Sequence, residues 1–414
     1  MRFFISKLIL SMLVFVLISV QNFNSQAFAY TDCHAGVKGQ CVENDEYPCP
    51  LDTECRGESV GNPPHKVCGC YSIKNAKPNY EQTPSVKSSF PIHSNSLSRI
   101  KSSAIADITT LAVPSTIKVK GNILLHFVQL SDTHLQKPSV KASHGKLLHD
   151  SEVLLSTAVK QINKIKNLDF VLVTGDLVDV PDEKLVDKYI EITMSLKYPT
   201  YSLLGNHDVS GTGIDKSAFI KKFYQLANPT SFANHMSYYS FSPKDKFVVI
   251  CLDGAIDRID TAHGQIDNKQ LKWLKDELEA NKDKYVIVAY HFPLYPPYVS
   301  KERTVLERDR NKLIKLINNY KNVIGVFTGH YHAAGIFFVK DKVHEAAPAL
   351  VQYPNAFREI IISQEEPEHI KVNFIWHEVD NPVLVQKSKH TTHTWRIFQG
   401  SLKDRENIFE FKAL

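Results

Sequence analysis

Short, uninterrupted apolar runs recur from residue 121 onward, and they constrain the fold more than any other feature of the chain. Runs without polar alternation predict strands buried on both faces, as in parallel sheets. The runs are residues 123–130, 170–173, 201–204, 247–252, 285–290 and 323–327. Stretches with helical spacing separate several of them, at residues 151–167, 182–195, 268–280 and 308–320. This alternation predicts an α/β layered core. Three later runs with short connections, at 336–340, 358–363 and 371–376, predict antiparallel additions.

A polar cluster directly follows five of the apolar runs. The clusters are SDTH at 131–134, GDLVD at 175–179, GNHD at 205–208, HFP at 291–293 and GHYH at 329–332. Any one of them alone is an ordinary turn. However, open α/β sheets place their ligands at the carboxyl ends of strands, so five clusters at that end predict one shared site.

The residue types in these clusters indicate the chemistry of the site. Carboxylates, an amide and imidazoles without cysteine suit Mn, Fe, Zn, Co or Ni. One carboxylate can bridge two such ions about 3.5–4 Å apart, as in enzymes that displace groups in line at phosphorus. The clusters therefore predict a two-metal hydrolytic site.

The five clusters, in this order, resemble the signature of the calcineurin-like metallophosphoesterase superfamily over about residues 123–376. The resemblance implies a four-layer α/β/β/α sandwich of two mixed sheets. It also implies two divalent, or divalent and trivalent, metal ions, with Mn, Fe or Zn favoured. Such ions would lower the pKa of a shared water towards about 7, so that a hydroxide attacks phosphorus.

The resemblance assigns a role to each site residue by its place in the motifs. The implied ligands are Asp132, His134 and His332 for the first metal, Asn206, His291 and His330 for the second, and Asp176 as the bridge between them. His207 is implied to be the catalytic imidazole that faces the phosphate, with Asp208 orienting it.

The expected substrate class comes from comparing this chain with particular groups of enzymes within the superfamily. Purple acid phosphatases carry a tyrosine where this chain has Asp179, so a tyrosinate–iron site is not expected. Asp179 is either a partner of a metal ligand or a turn residue. Residues 252–274 resemble bacterial class III cyclic-nucleotide phosphodiesterases, which favours a phosphodiester substrate. Phosphomonoesters or nucleotides and phospholipid head groups are the alternatives. A non-catalytic binding scaffold is disfavoured because every ligand position carries a usable residue.

Several polar residues lie outside the motifs. His126 falls within a predicted buried strand and is expected to be a hydrogen-bonded core residue. His235, His263 and His344 are either at the rim of the pocket or in ordinary loops. Arg358 either meets a phosphate or forms a surface ion pair.

The N-terminal 29 residues have the features of a secretory signal peptide. Arg2 and Lys7 precede an apolar stretch at 8–20, and Ala-Phe-Ala at 27–29 is a typical cleavage site. The alternative, an uncleaved anchor, is disfavoured because the apolar stretch is shorter than the roughly 20 residues that span a bilayer. A secreted protein, extracellular or periplasmic, is therefore expected, with no transmembrane helix in the mature chain.

Cysteine spacing and composition divide the rest of the chain. Six of the seven cysteines lie between Cys33 and Cys70, which predicts a disulfide-rich module at 30–70 that is suited to an extracellular partner. A zinc site is the alternative, but paired C-x-x-C motifs are missing. Residues 71–118 are predicted to be a linker, 119–380 the catalytic domain and 381–414 a C-terminal tail. The net charge of +5 does not indicate nucleic-acid binding.

Overall fold

A computed structural model describes residues 117–226, 232, 236–298 and 310–414, together with the backbone of four strands nearer the N-terminus. Those four strands are β1 (Cys33–Ala35), β2 (Cys41–Glu43), β3 (Thr53–Val60) and β4 (His65–Ser72). β1 pairs antiparallel with β2, and β3 pairs antiparallel with β4. The predicted signal peptide, the cysteine pairing and nearly all of the linker lie outside the described residues.

From residue 105 the chain forms a separate compact unit with two six-stranded mixed sheets. The first sheet contains, in spatial order, β12 (Gly335–Val339), β13 (Lys342–Ala346), β11 (Val323–Thr328), β10 (Tyr285–Ala289), β9 (Phe247–Cys251) and β8 (Tyr239–Lys244). Its four central strands are parallel, and β12 and β8 run antiparallel at the edges.

The second sheet has three parallel strands and three antiparallel ones. Its spatial order is β16 (Asn407–Lys412), β15 (His369–Glu378), β14 (Ala356–Gln364), β5 (Asn122–Leu130), β6 (Phe170–Val173) and β7 (Thr200–Ser202). β5, β6 and β7 are parallel, whereas β14, β15 and β16 are antiparallel. The prediction of an α/β fold with two mixed sheets, and with antiparallel strands near the end of the chain, is confirmed.

Helices follow most of the parallel strands. The longer ones are α1 (Ser151–Ile162), α2 (Glu183–Thr193), α3 (Lys216–Leu226), α4 (Asn268–Ala280), α5 (Arg310–Asn318) and α6 (Pro382–Thr391), and two short ones are α7 (Trp395–Gln399) and α8 (Leu402–Arg405). Aspartates cap three of these helices by accepting backbone amides of the first turn: Asp182 caps α2, Asp215 caps α3 and Asp267 caps α4. No helix in the described part of the chain has both the length and the apolar character of a membrane span.

The apolar core explains how the two sheets are held together. Phe127 of β5 meets Phe327 of β11 edge to face at 5.5 Å between ring centroids, and Phe327 stacks on Phe374 of β15 at 5.9 Å. Along β9, Val249 points into this core, whereas Ile250 joins a second cluster with α4 and α5. The first sheet thus packs against the second sheet on one face and against helices on the other.

The C-terminal region is part of this unit. Residues 381–414, predicted to be a tail, form α6, α7, α8 and β16, and β16 adds to the edge of the second sheet.

Candidate metal centre

Five parallel strands end at one edge, and each is followed by one of the polar clusters. β5, β6 and β7 of the second sheet and β10 and β11 of the first carry these clusters. The donor atoms of Asp132, His134, Asp176 and His332 lie within 4.8 Å of one another, and so do those of Asp176, His291 and His330. The structure therefore brings the predicted ligands together in two groups that share Asp176.

The backbone at this edge takes conformations that are uncommon for residues with side chains. Five of the predicted ligands have positive φ: Asp132 (51°), His134 (40°), Asp176 (52°), His330 (70°) and His332 (59°). Such strain concentrates at functional sites, where the surrounding structure enforces it. The turns after the strands are thus shaped to aim side chains inward, at some cost in local stability.

Two glycines of the motifs are required by close packing against carboxylates. A Cβ at Gly205 would collide with the Asp176 carboxylate, and one at Gly329 would collide with Ser131 Oγ and Asp132 Oδ2. The motif glycines therefore allow the polar clusters to converge.

Hydrogen bonds on the far side of the rings fix the tautomers at the first group. Nδ1 of His134 donates to Asp179 Oδ1 at 3.0 Å, and Nδ1 of His332 donates to Gln352 Oε1 at 2.6 Å. Both neutral rings then carry a lone pair on Nε2, and these two Nε2 atoms lie only 3.0 Å apart. Two facing lone pairs at that distance fit a shared cation, so the donor set fits a metal ion.

The second group shows a similar arrangement. Nδ1 of His291 donates to the backbone carbonyl of Thr174 at 2.7 Å, which directs Nε2 towards Asp176 Oδ2 at 3.4 Å. Nδ1 of His330 lies 3.1 Å from Asn206 Oδ1. These imidazole, amide and carboxylate donors also suit a first-row metal ion.

Acidic and basic side chains shift one another's pKa values at the centre. Burial would raise the pKa of Asp132, but its interactions with the imidazoles of His332 and His291 lower it to about 2. Burial would likewise lower the pKa of His291, but the carboxylates of Asp176 and Asp132 raise it to about 9. Burial and the charge of Lys146 lower the pKa of His134 to about 3, so this ring is neutral, as a metal ligand must be.

Asp179 is a partner of a metal-site residue rather than a simple turn residue. Its Oδ1 accepts from His134 and also from Lys146 Nζ at 2.6 Å. Burial would raise the pKa of Asp179, but the hydrogen bond from His134 and the charge of Lys146 hold it well below its usual value. Of the two roles that the sequence allowed for Asp179, the structure thus supports the partner of a predicted ligand.

His207 lies at the mouth of the centre. Its side chain is 34% exposed, whereas the rings of His134 and His291 are fully buried. Its Nδ1 donates to the backbone carbonyl of Asp179 at 2.9 Å, which leaves Nε2 as the atom that can exchange a proton.

Asp208 does not support His207 as predicted. Its Oδ1 accepts from the amides of Leu177 and Val178 at 2.8 and 3.0 Å, and its Oδ2 accepts from the amide of Gly205 at 2.8 Å. Burial and the nearby Asp176 carboxylate raise the pKa of Asp208 to about 8. The hydrogen-bond partner of the His207 ring is the carbonyl of Asp179, whereas Asp208 holds the turns that carry the ligands.

The remaining candidate residues fall in varied places. His126 is a buried core residue bonded to Glu359 at 2.8 Å, as expected. His263 is exposed, His344 is buried on β13 against Tyr295, and His235 lies outside the described residues. Arg358 fits neither of its two predictions, since it is fully buried on β14 and paired with Glu345.

Sequence reasoning missed two side chains of the centre. Lys146 and Gln352 come from segments without a motif, and an isolated bridge between them joins the two loops. A lysine or a glutamine in a loop carries no recognisable signal, so only the fold identifies them.

Comparison with known proteins gives a consistent result. The sequence profile of the family described as calcineurin-like phosphoesterase matches residues 125–334. The chain is 24% identical over 212 residues to the 3',5'-cyclic adenosine monophosphate phosphodiesterase CpdA of Haemophilus influenzae. The aligned region covers 50% of this chain and 70% of that protein. It is 27% identical over 209 residues to the probable glycerophosphodiester phosphodiesterase GpdQ of Arcobacter nitrofigilis, and the aligned region covers 50% of this chain and 71% of that protein.

Two further similarities extend this picture. A manganese-dependent ADP-ribose/CDP-alcohol diphosphatase of Arabidopsis thaliana is 25% identical over 241 residues, covering 47% of this chain and 75% of that one. Among solved structures, a dimetal phosphatase from Danio rerio superposes with a TM-score of 0.51 at 13% identity, covering 63% of this chain and all of that chain. The structural match shows a shared fold.

Proposed function

Because the chain belongs to the calcineurin-like phosphoesterase family, and is thus a metal-dependent phosphoric ester hydrolase, we propose that it hydrolyses phosphodiesters with two metal ions. The observation that carries the proposal is the pair of buried Nε2 atoms of His134 and His332, 3.0 Å apart with both Nδ1 atoms engaged elsewhere. Two lone pairs that face each other at that distance repel, and a metal ion bound by both nitrogens would remove this repulsion.

Seven residues would hold the two ions. The first ion would be bound by Asp132, His134 and His332, the second by Asn206, His291 and His330, and Asp176 would bridge them. Mn, Fe and Zn suit these donors, and the manganese dependence of the Arabidopsis relative supports Mn as the first ion to test. When bound, such ions act as Lewis acids that activate water and neutralise phosphoryl charge.

The protein's own groups would position the phosphate and move the proton. His207 lies at the mouth with Nδ1 held by a carbonyl, so its protonated ring can donate from Nε2 to the leaving oxygen of the ester. The carbonyl of Asp179 holds that ring, while the carboxylate of Asp179 holds His134. One residue thereby fixes the catalytic imidazole and a ligand relative to each other.

A phosphodiester is the proposed substrate class, cyclic nucleotides included. The similarity to CpdA and GpdQ, both named as phosphodiesterases, supports it. Phosphomonoesters and phospholipid head groups are the alternatives, and the assay below tests the first of them. The proposal includes export, on the strength of the signal-like residues 1–29 and the cysteine spacing. N-terminal sequencing of the mature protein should begin near Tyr30, and a start at Met1 would contradict export.

The test compares two substitutions that remove different functions. We expect Asp176→Ala to lose both metal and activity, because it removes the bridging carboxylate. His207→Ala should keep its metal but lose about 10²- to 10⁴-fold in turnover, the usual contribution of a general acid. The exposed His263→Ala serves as a matched control that keeps both.

The measurements are metal content by mass spectrometry and hydrolysis of bis(p-nitrophenyl) phosphate and p-nitrophenyl phosphate with Mn²⁺ added. Preference for the diester supports a phosphodiesterase, and preference for the monoester contradicts it. Equal metal content in Asp176→Ala and His207→Ala would refute the assignment of roles. Activity towards neither ester would favour a binding scaffold.

A further inference from the structure

A basic aromatic cluster lies in the C-terminal region and is not used by the proposed chemistry. It consists of Lys389, Trp395 and Arg396 and is called here the Trp395 cluster. Lys389 Nζ lies 4.2 Å from the centroid of the Trp395 ring, and Arg396 Cζ lies 4.6 Å from it. Cation–π attraction at these distances holds both cations against the ring.

Neither cation of the cluster has an acidic partner. Within the part of the chain that the structure describes, no carboxylate pairs with Lys389 or Arg396. Two neighbouring lysines, in contrast, are each paired with an aspartate. Lys387 binds Asp150 at 2.8 Å, and Lys146 binds Asp179 at 2.6 Å.

The cluster adjoins the metal centre through Tyr353. The Tyr353 ring lies 5.9 Å from that of Trp395, and Lys389 Nζ is 5.6 Å from its centroid. Tyr353 directly follows Gln352, whose Oε1 accepts from the ring of His332. Gln352, which supports a predicted ligand, and Tyr353, which contacts the cluster, are therefore consecutive in the chain.

A second contact joins the cluster to the same wall of the centre. Thr392, which begins the turn from α6 to α7, is buried and reaches the carbonyl of Gly145 at 3.5 Å. Gly145 lies in the tight turn closed by Ser143 and Lys146, next to Gln352. The segment that carries the cluster therefore packs on the turn that carries Lys146 at the centre.

We propose that Lys389 and Arg396 bind a second phosphate group of the substrate, beyond the one that is cleaved. The idea rests on the proposed function and narrows it to phosphodiesters that carry an additional phosphate, such as nucleotide diesters with a terminal phosphate. A guanidinium fork and an ammonium, held in place by an aromatic ring, provide several charge-assisted donors for phosphate oxygens. A neutral substituent would gain nothing from these two charges.

The test uses two chromogenic substrates that share one scissile bond. Thymidine 5′-(p-nitrophenyl phosphate) and its 3′-phosphorylated counterpart differ by a single phosphate. We expect kcat/KM of the Mn²⁺-loaded enzyme to be about tenfold higher for the 3′-phosphorylated ester, as for one added charge-assisted contact of about 1.4 kcal/mol. In the double variant Lys389→Met/Arg396→Met, this ratio should fall to about one.

Two further variants separate recognition from structure. The exchange Lys389→Arg/Arg396→Lys keeps both charges and should keep the ratio. Lys387→Met removes a lysine of the same helix whose charge is already paired with Asp150, so it should also keep the ratio. A wild-type ratio near one, or an unchanged ratio in the Met double variant, would overturn the proposal.

A binding measurement tests the proposed phosphate subsite even if neither ester is cleaved. Isothermal titration calorimetry of the Mn²⁺-loaded protein should show tighter binding of thymidine 3′,5′-bisphosphate than of thymidine 5′-monophosphate, and the Met double variant should lose the difference. Equal affinities in the wild type refute the phosphate subsite. Absence of hydrolysis with the affinity difference intact refutes the diesterase function alone.

Discussion

A buried ion pair joins the two sheets, and its removal in stages tests how the sandwich is stabilised. Arg358 of β14 and Glu345 of β13 are paired with both side chains at 0% exposure. The guanidinium also donates to the carbonyls of Ala346, at 2.9 Å, and Asp404. Its Cζ lies 5.5 Å from the ring of Trp376. Burial lowers the pKa of Arg358 to about 9, which still leaves it charged at neutral pH.

The magnitude follows from what each substitution leaves behind. Arg358→Met leaves the Glu345 carboxylate buried without a counter-charge, since Glu345 Oε2 makes no hydrogen bond in the described structure. We expect a loss of about 3–5 kcal/mol in the free energy of unfolding. Glu345→Leu should cost less because the guanidinium keeps its two carbonyl partners. The double variant should be within about 1–2 kcal/mol of the wild type, since no unpaired charge remains.

The assay is urea unfolding of the wild type, both single variants and the double variant. Tryptophan fluorescence follows the transition, because Trp376 lies against Arg358, and far-ultraviolet circular dichroism checks that both probes change together. A coupling energy of about 3 kcal/mol is expected from the cycle. If the two single losses simply add in the double variant, the charges do not interact and the reasoning fails.

Two further predictions concern acid stability and the motif glycines. Burial would raise the pKa of Glu359, but hydrogen bonds from His126 and His377 lower it from 4.5 to about 2. The resulting stability, up to about 3 kcal/mol, is present above pH 4.5 and is lost as the pH falls towards 2. Urea unfolding of Glu359→Gln across this range should lack that dependence, and identical slopes would contradict it. Gly329→Ala places a Cβ against Asp132 Oδ2, so Mn²⁺ affinity should fall about 10- to 100-fold in a calorimetric titration while the dichroism spectrum is kept. Unchanged affinity would show that the turn adapts.

Buried strands made of apolar residues could be predicted from the sequence. Buried strands that contain charged residues could not. The run at 170–173 coincides with β6, because four consecutive apolar residues are all buried. β13 has the sequence Lys-Val-His-Glu-Ala and is equally buried, yet it gave no signal. Its Glu345 is compensated by Arg358, and its Lys342 donates to the carbonyl of Tyr320 at 2.9 Å. These compensating groups come from other elements, so local hydrophobicity cannot reveal them.

The same distinction applies at the metal centre. The predicted ligands converge because each directly follows a parallel strand, and a strand end is a position that the sequence pattern specifies. The supporting groups converge for a different reason. Gln352 and Lys146 meet where two loops bridge, and Asp208 binds amides of a turn some 30 residues away in sequence.

Positions that depend on contacts between loops are determined only by the complete fold. The prediction that Asp208 orients His207 failed for this reason. Its neighbour His207 suggested a side-chain partnership, since the two are adjacent in sequence. The strained turns at Asp132 and Asp176 instead need their amides and carbonyls fixed, and Asp208, at 0% exposure, accepts three of the amides nearby. A buried carboxyl group with three amide donors stabilises the backbone of these turns. His207 instead bonds to the backbone carbonyl of Asp179, 28 residues earlier in the chain, and a backbone partner cannot be recognised from residue type.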